Sequence, residues 1–282
     1  MSLTAKSFDE KDFQTLIVPG SAKSYWRDLW QNREVMYIFM YRDIIIQYKQ
    51  AVLGFLWAVL KPVLSVVAFT IVFSKIANLD SPHMPYPVLV LSGILPWYFL
   101  STAFAEMSNS LVDNQSMVSK IYFPRLLLPL SKIGVSLVDF SISLILLIGL
   151  MFFYGMTFSP TLLALPLFIG FAILVALSGG LGFSALNVRY RDVRIVIPFV
   201  LQLGLYLSPI GYATELVPEE WRLLYSMNPV VGVVDGFRWS ISGGQSELYW
   251  PGLAMSASVA LVLLVTGLWY FRKVERTFAD VI

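Results

Sequence analysis

Long apolar stretches separated by short polar connections run from residue 51 almost to the end of the chain. A helix that crosses the hydrocarbon core of a bilayer needs about 20 mostly apolar residues. Six stretches reach that length, at about residues 51–74, 86–106, 126–154, 161–187, 195–213 and 251–271. The pattern predicts an all-α integral membrane protein with six transmembrane helices. It divides the chain into a cytoplasmic N-terminal region, 1–50, and a membrane domain, 51–282.

Two further segments mix aromatic and polar residues and do not read as membrane spans. Residues 25–50 combine tryptophan and tyrosine with arginine and lysine, which is typical of amphipathic helices that lie along a membrane surface. In residues 214–250, Pro218 and two glutamates begin a short helix. Asn228-Pro229 separates it from an apolar run that Gly243-Gly244 ends. That run is too short to cross, so the segment predicts two re-entrant outer helices between spans five and six.

The distribution of basic residues predicts the orientation. With both termini in the cytoplasm, 17 of the 20 lysine and arginine residues lie on the inner side, and only Lys75, Arg222 and Arg238 lie on the outer side. This asymmetry follows the positive-inside rule. Residues 1–30 lack the apolar core of a cleaved signal peptide, which agrees with a cytoplasmic N-terminus.

Composition agrees with lipid as the solvent and narrows the possible chemistry. The chain is 57% hydrophobic and 13% charged, with a mean hydropathy of +0.71, whereas soluble domains carry about 25% charged residues. It has no cysteine, which excludes disulfides and thiolate metal sites. The net charge of +2 is too small to indicate nucleic-acid binding. We expect no metal and no cofactor in this chain.

Motifs for nucleotide binding or catalysis are absent from the sequence. It contains no G-x-x-x-x-G-K-[ST] loop and no H-E-x-x-H, and its only histidine is His83, in an outer loop. We therefore expect no enzymatic activity. Asp139, near the middle of the third span, and Glu106, at the inner end of the second, are candidates because ionisable groups within spans are often functional. Asp139 is better explained by a helix–helix hydrogen bond, with Ser136 and Ser143 nearby, than by an ion relay.

Two inner loops carry candidate partner contacts. Residues 111–125 mix short apolar and polar pieces and predict a short amphipathic helix that ends at Pro124 and fits a groove on another protein. Residues 187–194 are dense in charge. Their arginines are explained by anchoring at the inner membrane surface or by contact with a partner, which Tyr190 and Asp192 favour.

Several motifs resemble those of ABC-2 type permeases that export O-antigen or teichoic acid. The similarity runs in order along nearly the whole chain, through Tyr41-Arg42-Asp43, Gln47-Tyr48-Lys49-Gln50, Leu53-Gly54-Phe55-Leu56-Trp57-Ala58, Lys61-Pro62, Tyr122-Phe123-Pro124-Arg125, Asn187-Val188-Arg189-Tyr190-Arg191-Asp192, Asn228-Pro229 and residues 271–282 with Glu275, Phe278 and Asp280. Each motif alone is moderately specific, and together they are specific for this family.

The resemblance implies the function and its partners. Such permeases are non-catalytic homodimers that pair with two cytoplasmic ATPase subunits, which bind ATP and Mg²⁺. They move lipid-linked polysaccharide across the bacterial inner membrane. The resemblance also implies residues that couple to the ATPase, namely Asn114, Lys120, Tyr122, Phe123, Arg125, Arg189, Tyr190, Arg191 and Asp192. It implies an interface helix with Arg42, Asp43 and Lys49.

Aromatic residues are the candidates for a polysaccharide channel. Aromatic rings contact the apolar faces of sugars with a large rigid surface, and 15% of the residues are aromatic. The candidates are Trp57, Phe69, Phe73, Trp97, Tyr98, Phe104 and Tyr206. Each ring is also explained by lipid contact or by the interfacial aromatic belt. The alternative functions are export of teichoic acid or another lipid-linked polymer, export of drugs or small lipids, and ion-coupled secondary transport.

Overall fold

The computed structural model describes residues 22–49, 54–79, 81, 83–190, 192–275 and 278, and all regular secondary structure within them is helical. The α-helices of these residues are α1 (Ala22–Gln31), α2 (Arg33–Lys49), α3 (Gly54–Phe69), α4 (Tyr86–Asp113), α5 (Gln115–Val118), α6 (Leu127–Phe153), α7 (Leu165–Arg189), α8 (Val193–Tyr206), α9 (Glu219–Tyr225), α10 (Pro229–Ile241) and α11 (Trp250–Glu275). A π-helix at Thr70–Ile76 continues α3.

Five helical stretches of the described residues are long and apolar enough to cross a membrane, and each matches a predicted span. They are Leu56–Ile76, Tyr86–Asp113, Leu127–Phe153, Pro160–Arg189 and Trp250–Glu275. The predicted span at 195–213 differs, because α8 has only 14 residues. It is about 21 Å long, against a hydrocarbon core of about 30 Å. The helix stops because Ser208 precedes Pro209, and the residue before a proline disfavours helical geometry.

Helices are present in both segments that were predicted to lie outside the spans. Residues 25–50 contain most of α1 and all of α2. α9 begins after Pro218, and α10 begins at Pro229, where the Asn228 side chain accepts a hydrogen bond from the Val230 amide at 3.1 Å. α10 ends at Ile241, before two glycines with positive φ.

α4 is the central helix of the bundle. In its most apolar stretch 72% of the residues are buried, whereas the corresponding fraction in the other four long stretches is 11–33%. α3, α6, α7, α8 and α10 contact α4, and α11 packs against α7. α6 and α7, which are consecutive long helices, pack more extensively against α4 than against each other. The outer helices keep large apolar surfaces exposed, as contact with lipid requires.

Glycines allow the closest helix contacts. At the crossing of α7 and α11, a Cβ atom on Gly267 would lie 3.2 Å from the Gly182 nitrogen and 3.3 Å from the Ser178 carbonyl oxygen. At the crossing of α2 and α6, the Met40 sulfur lies 2.0 Å from the position of a Cβ atom on Gly134. Small residues at such crossings let backbones approach within van der Waals distance, which is a main source of helix association in membranes.

Side-chain contacts between loops define two ends of the bundle. The basic end comprises the described residues of 22–43, 106–132, 187–194 and 272–278, joined for example by the hydrogen bond from the Arg125 amide to Glu275. The opposite end comprises the described residues of 77–86, 154–164 and 207–250, joined for example by Thr161 and the Ser240 carbonyl. Arg222 and Arg238 belong to the opposite end.

Candidate functional site

A cavity of about 280 Å³ lies between the end of α2 and the facing sides of α3, α4 and α6. Its wall combines aromatic, charged and hydroxyl groups, including Gln47, Trp57, Lys61, Tyr98, Thr102 and Asp139. Ionisable side chains at the depth of transmembrane helices mark substrate pathways or pair with one another. Lys61 and Asp139 form no ion pair with each other, so mutual pairing does not explain the two charges. We therefore take this polar and aromatic cavity as the candidate functional site.

Two of the predicted channel aromatics meet in this cavity. Trp57 comes from α3 and is 55% exposed, and Tyr98 comes from α4. The Tyr98 hydroxyl is hydrogen-bonded to the Ser65 hydroxyl, and the Lys61 ammonium lies 4.5 Å from the centre of the Tyr98 ring. A cation at that distance over a ring is attracted by its negative face. Tyr98 is thus held in place, while the Trp57 ring remains free to contact a ligand.

Asp139 is the acid of the cavity, and its partners come from α2. Gln47 Nε2 donates a hydrogen bond to one carboxylate oxygen at 3.0 Å, and the Tyr48 hydroxyl donates to the other. Burial and this hydrogen bond raise the pKa of Tyr48, so the hydroxyl remains a donor. The predicted helix–helix hydrogen bond of Asp139 is confirmed, but nothing in the sequence indicated that its partners lie on α2.

Three of the other channel candidates lie outside the cavity, where α3 and α4 approach α8 and the segment after it. Phe69 and Phe73 stack with ring centroids 5.5 Å apart, and both rings lie within 3.1 Å of the position of a Cβ atom on Gly211. Trp97 is only 6% exposed, and its ring occupies the space left by Gly204 on α8. These rings fill gaps between helices within this chain.

The last two channel candidates lie on other faces of the bundle. Phe104 packs against Phe183 of α7, with ring centroids 4.9 Å apart, and fits into the space left by Gly179. Tyr206 at the end of α8 is 69% exposed. The structure therefore brings only two of the seven candidates, Trp57 and Tyr98, to the cavity. Facing is set by the rotation of each helix, which a count of aromatic residues does not reveal.

The loop at 114–126 divides its candidate coupling residues between surface and interior. α4 continues to Asp113, and the predicted amphipathic helix is reduced to the single turn of α5. Lys120 is exposed and Tyr122 is 74% exposed. Phe123 is buried and packs edge-to-face on Phe39 of α2, with centroids 5.4 Å apart. Tyr122 is thus available to a partner, while Phe123 joins the loop to α2.

Arg125 and Asn114 hold this loop to neighbouring helices. The Arg125 amide donates to the Glu275 carboxylate at 3.1 Å, and its guanidinium donates to the Glu275 carbonyl. The guanidinium also lies 5.9 Å from the Phe278 ring centre. Asn114 accepts a hydrogen bond from Arg42 at 3.1 Å. Both side chains therefore position the loop rather than project from it.

The loop at 187–194 presents exposed charged residues beside the loop at 114–126. Arg189 lies 5.6 Å from the Tyr190 ring centre, and both are exposed, as is Asp192. Arg191 lies outside the described residues. Asn187 is buried and donates hydrogen bonds to the Ser108 carbonyl and the Asn109 side chain, at 2.9 and 3.0 Å. Both loops thus meet at the basic end.

A charge network joins the predicted interface helix to α4 and α6. Arg42 pairs with Asp43 at 2.8 Å, and Lys132 of α6 lies 3.0 Å from Asp43 and 3.2 Å from Glu106 of α4. Lys49 is exposed at the end of α2. Sequence reasoning missed the role of Lys132. The available signal was a lysine close to the start of a strongly apolar span, where an acid must face it to limit the cost of burial.

Arg238 of α10 is the other residue that sequence reasoning missed. It is 3% exposed, and its guanidinium donates hydrogen bonds to the Tyr212, Ile210 and Leu89 carbonyl oxygens at 2.8, 3.0 and 3.4 Å. Residues 210 and 212 belong to the non-helical segment that follows α8. One buried side chain therefore supplies donors that a helix would supply through its backbone.

Two more side chains serve the same segment. The Tyr86 hydroxyl donates to the Gly211 carbonyl at 2.5 Å, and Asn228 Nδ2 donates to the Leu207 carbonyl at 3.1 Å. Irregular backbone is tolerated at membrane depth only where it is buried in protein or lines a cavity. Side-chain donors for four carbonyls, including those from Arg238, meet that requirement.

Residues 34–241 match the family of ABC-2 type transporters. This range extends from the start of α2 to the end of α10 and covers well over half of the chain. The chain belongs to the ABC-2 type transporter family. The candidate cavity, the charge network of Arg42, Asp43 and Lys132, and the carbonyl contacts of Arg238 all lie within the part shared with the family.

Relatives of this transporter are similar over nearly their full lengths. The O-antigen export system permease protein RfbA of Klebsiella pneumoniae is 25% identical over 250 residues, which are 88% of this chain and 95% of that protein. The protein of the same name from Myxococcus xanthus is 27% identical over 90% of this chain and 97% of its own length. The polysialic acid transport protein KpsM of Escherichia coli is 24% identical over 83% and 91%.

Proposed function

We propose that this chain is the transmembrane permease subunit of an ATP-driven exporter that moves lipid-linked, O-antigen-like polysaccharide across the bacterial inner membrane. The observation that carries the proposal is the end-to-end similarity to O-antigen export permeases within the ABC-2 family. Similarity to a polysialic acid transporter favours other lipid-linked polymers, such as teichoic acid, as the second candidate. Ion-coupled secondary transport is disfavoured by the family.

ATP hydrolysis is assigned to a separate partner. The sequence has no P-loop, so two copies of a cytoplasmic ATPase, which bind ATP and Mg²⁺, would drive two copies of this chain. The exposed side chains of Tyr122, Arg189, Tyr190 and Asp192 at the basic end are the proposed contact surface. The network of Arg42, Asp43, Lys132 and Glu106 would transmit movement from that surface to α4 and α6.

The proposed topology has six crossings with both termini in the cytoplasm. α8 with residues 207–213 forms the fifth crossing, and the donors from Arg238, Asn228 and Tyr86 make its non-helical part compatible with the membrane. α9 and α10 are the re-entrant pair. α1 and α2 are the proposed interface segment, with Arg42, Asp43 and Lys49 on α2, and α1 within it is strongly amphipathic and exposes Trp26 and Trp30.

The cavity between α2, α3, α4 and α6 is the proposed contact site for the polymer. Trp57 offers a flat apolar face to a sugar ring, and Gln47, Lys61 and Thr102 offer polar groups to its hydroxyls. Contacts of this kind hold a ring without selecting one sequence of sugars, which suits a polymer that must slide.

Deletion and complementation test the function. A strain that lacks the gene is expected to lose surface polysaccharide and to accumulate lipid-linked polymer inside the cell, and the wild-type gene should restore export. Normal surface polymer in the deletion strain would contradict the proposal.

Because the chain has no cysteine, the variants His83→Cys and Lys120→Cys test the topology. A membrane-impermeant maleimide should label the first in intact cells and the second only after the membrane is opened.

A further inference from the structure

A groove of about 520 Å³ lies on the last turns of α11, at the basic end of the bundle. It is lined by Val265, Leu268, Trp269, Arg272 and Lys273. Val265 and Trp269 are 65% and 63% exposed. The groove therefore changes along its length from an apolar wall to a pair of cations, with a tryptophan between them.

The two cations lie close to aromatic rings. The Lys273 ammonium lies 5.1 Å from the Trp269 ring centre, and Arg272 lies 4.7 Å from the Tyr25 ring centre. Within the described residues neither forms an ion pair. The nearby Glu275 carboxylate accepts hydrogen bonds from the Arg125 amide and from Tyr25. By contrast, Arg42, Lys132 and Arg194 at the same end are paired with acids.

The position of the groove matches the boundary between hydrocarbon and headgroups. α11 has 26 residues and is about 39 Å long, longer than a hydrocarbon core of about 30 Å. Its last turns therefore reach the headgroup level, where tryptophan concentrates. Basic side chains at this depth attract anionic lipids.

We propose that this groove binds one anionic phospholipid of the leaflet that faces the basic end. An acyl chain lies along Val265 and Leu268, and the phosphate lies between Arg272 and Lys273. The net negative headgroup is what the two cations select. A zwitterionic headgroup would bring its own ammonium against them.

Native mass spectrometry of the purified permease tests the site. The protein is incubated in detergent with equal amounts of phosphatidylglycerol and phosphatidylcholine, and the ratio of the first bound lipid is measured. Wild type is expected to retain phosphatidylglycerol about 5-fold over phosphatidylcholine, and Arg272→Gln/Lys273→Gln should bring the ratio close to 1. The control Lys49→Gln/Lys120→Gln removes two exposed charges elsewhere and should keep the wild-type ratio. If the double variant does not fold, Lys273→Glu, a single change at an exposed residue, takes its place in the same measurement.

The remaining outcomes also decide the proposal. An unchanged ratio in the groove variants, or an equal loss in the control, overturns it. Displacement of phosphatidylglycerol by inorganic phosphate would mean that the apolar wall is not used, and it would also overturn the proposal. Stronger retention of undecaprenyl phosphate than of phosphatidylglycerol would assign the groove to a lipid carrier, and would overturn the proposal that its ligand is a phospholipid. The measurement needs neither an ATPase nor a polymer, so its result is independent of the export function.

Discussion

The Tyr48 hydroxyl at the end of α2 donates a hydrogen bond to the Asp139 carboxylate near the middle of α6. Along the same two helices, Met40 sits over Gly134, and Asp43 meets Lys132. α2 therefore runs beside the first half of α6 and brings Tyr48 to the wall of the candidate cavity. Movement of α2 by a partner at the basic end would reach the cavity through this contact.

A double-mutant cycle on Tyr48 and Asp139 tests this link. Tyr48→Phe and Asp139→Asn should each lower the apparent melting temperature of the purified permease, because a hydrogen bond to a charged group contributes about 1.5–3 kcal/mol. The double variant should lose less than the sum of the two single variants, because Asp139→Asn already weakens the bond from Tyr48 to one between neutral groups. Tyr98→Phe, at another hydroxyl of the cavity, is the control and should be additive with Asp139→Asn. Full additivity of Tyr48→Phe with Asp139→Asn would mean that the contact contributes nothing.

Neighbouring residues of the first inner loop should behave differently when changed to alanine. Phe123→Ala removes a buried ring that packs on Phe39, so it should lower stability by about 3–5 kcal/mol. Tyr122→Ala removes an exposed ring, so stability should stay close to that of wild type, while stimulation of the partner ATPase and export should fall. Phe158→Ala, another exposed ring at the opposite end, should change neither property. Normal ATPase stimulation in Tyr122→Ala would remove Tyr122 from the contact surface.

The spans could be predicted because length and hydropathy alone decide whether a helix suits the bilayer. The rotation of each helix about its axis, which decides where each side chain points, could not be predicted from the sequence. Trp97 and Tyr98 are adjacent in sequence, yet Trp97 fills the space at Gly204 and Tyr98 lines the cavity. Successive residues of a helix point about 100° apart, and in lipid the outward face is apolar as well. The hydrophobic pattern that reveals facing in soluble helices is therefore weak here.

The end of α8 shows a second limit of prediction. The window 195–213 is mostly apolar, so high hydropathy continues across Pro209 although the helix does not. The irregular backbone that follows is stabilised by Arg238, which lies more than twenty residues later in the chain and donates hydrogen bonds to its carbonyls. Sequence analysis counted Arg238 as one of three outer basic residues. Its role depends on the packing of α10 beside α4 and the end of α8.

Loss of Arg238 should destabilise the permease. Arg238→Met leaves the Ile210 and Tyr212 carbonyls without their donors, and each buried unsatisfied group costs about 1–3 kcal/mol. Removal of one partner from a buried polar network typically costs about 3–5 kcal/mol. Thermal denaturation followed by size-exclusion chromatography in detergent is the measurement. Lys75→Gln, an exposed basic residue, is the control and should melt as wild type does. Equal melting of Arg238→Met and wild type would contradict the role assigned to the guanidinium.

Asp235, one turn before Arg238, should make stability depend on pH. Burial raises the pKa of Asp235 to about 6, against the lowering effects of the Thr214 hydrogen bond and the Arg238 charge. The folded state therefore binds this proton more tightly than the unfolded state, whose pKa is about 3.9. The stabilisation is complete below about pH 4 and is lost as pH rises through about 6. Asp235→Asn has no carboxyl group to lose this proton, so its stability should not fall in this way. Relative to wild type, the variant should therefore gain about 3 kcal/mol between pH 4 and pH 7.

Comparison with wild type at each pH isolates this contribution. His83, Glu215 and Glu247 line the same small cavity and remain in both proteins, so their effects largely cancel. The amide oxygen that Asp235→Asn introduces can still accept the hydrogen bond from Thr214. If the melting temperatures of the two proteins run parallel from pH 4 to pH 7, the pKa of Asp235 in the folded state is close to that in the unfolded state.

Trp57 and Trp97 separate a role in polymer contact from a role in packing. Trp57 is exposed in the candidate cavity, so Trp57→Leu should fold normally and export less polymer, because leucine lacks the flat face that stacks on a sugar ring. Trp57→Tyr restores an aromatic face and should recover most of the export. Trp97 is buried against Gly204, so Trp97→Leu should lower stability by about 1–3 kcal/mol through the cavity that it leaves.

The measurement is surface polymer divided by membrane-inserted permease, together with the melting temperature of each variant. Phe73→Leu, which leaves Phe69 without its stacking partner, is scored in the same way. Export in Trp97→Leu should fall only in proportion to the amount of inserted protein. In Trp57→Leu the export per inserted molecule should fall while the melting temperature stays unchanged. Normal export per molecule in Trp57→Leu would remove this ring from the path of the polymer, because a lipid-facing tryptophan tolerates leucine, which keeps the apolar surface that lipid requires.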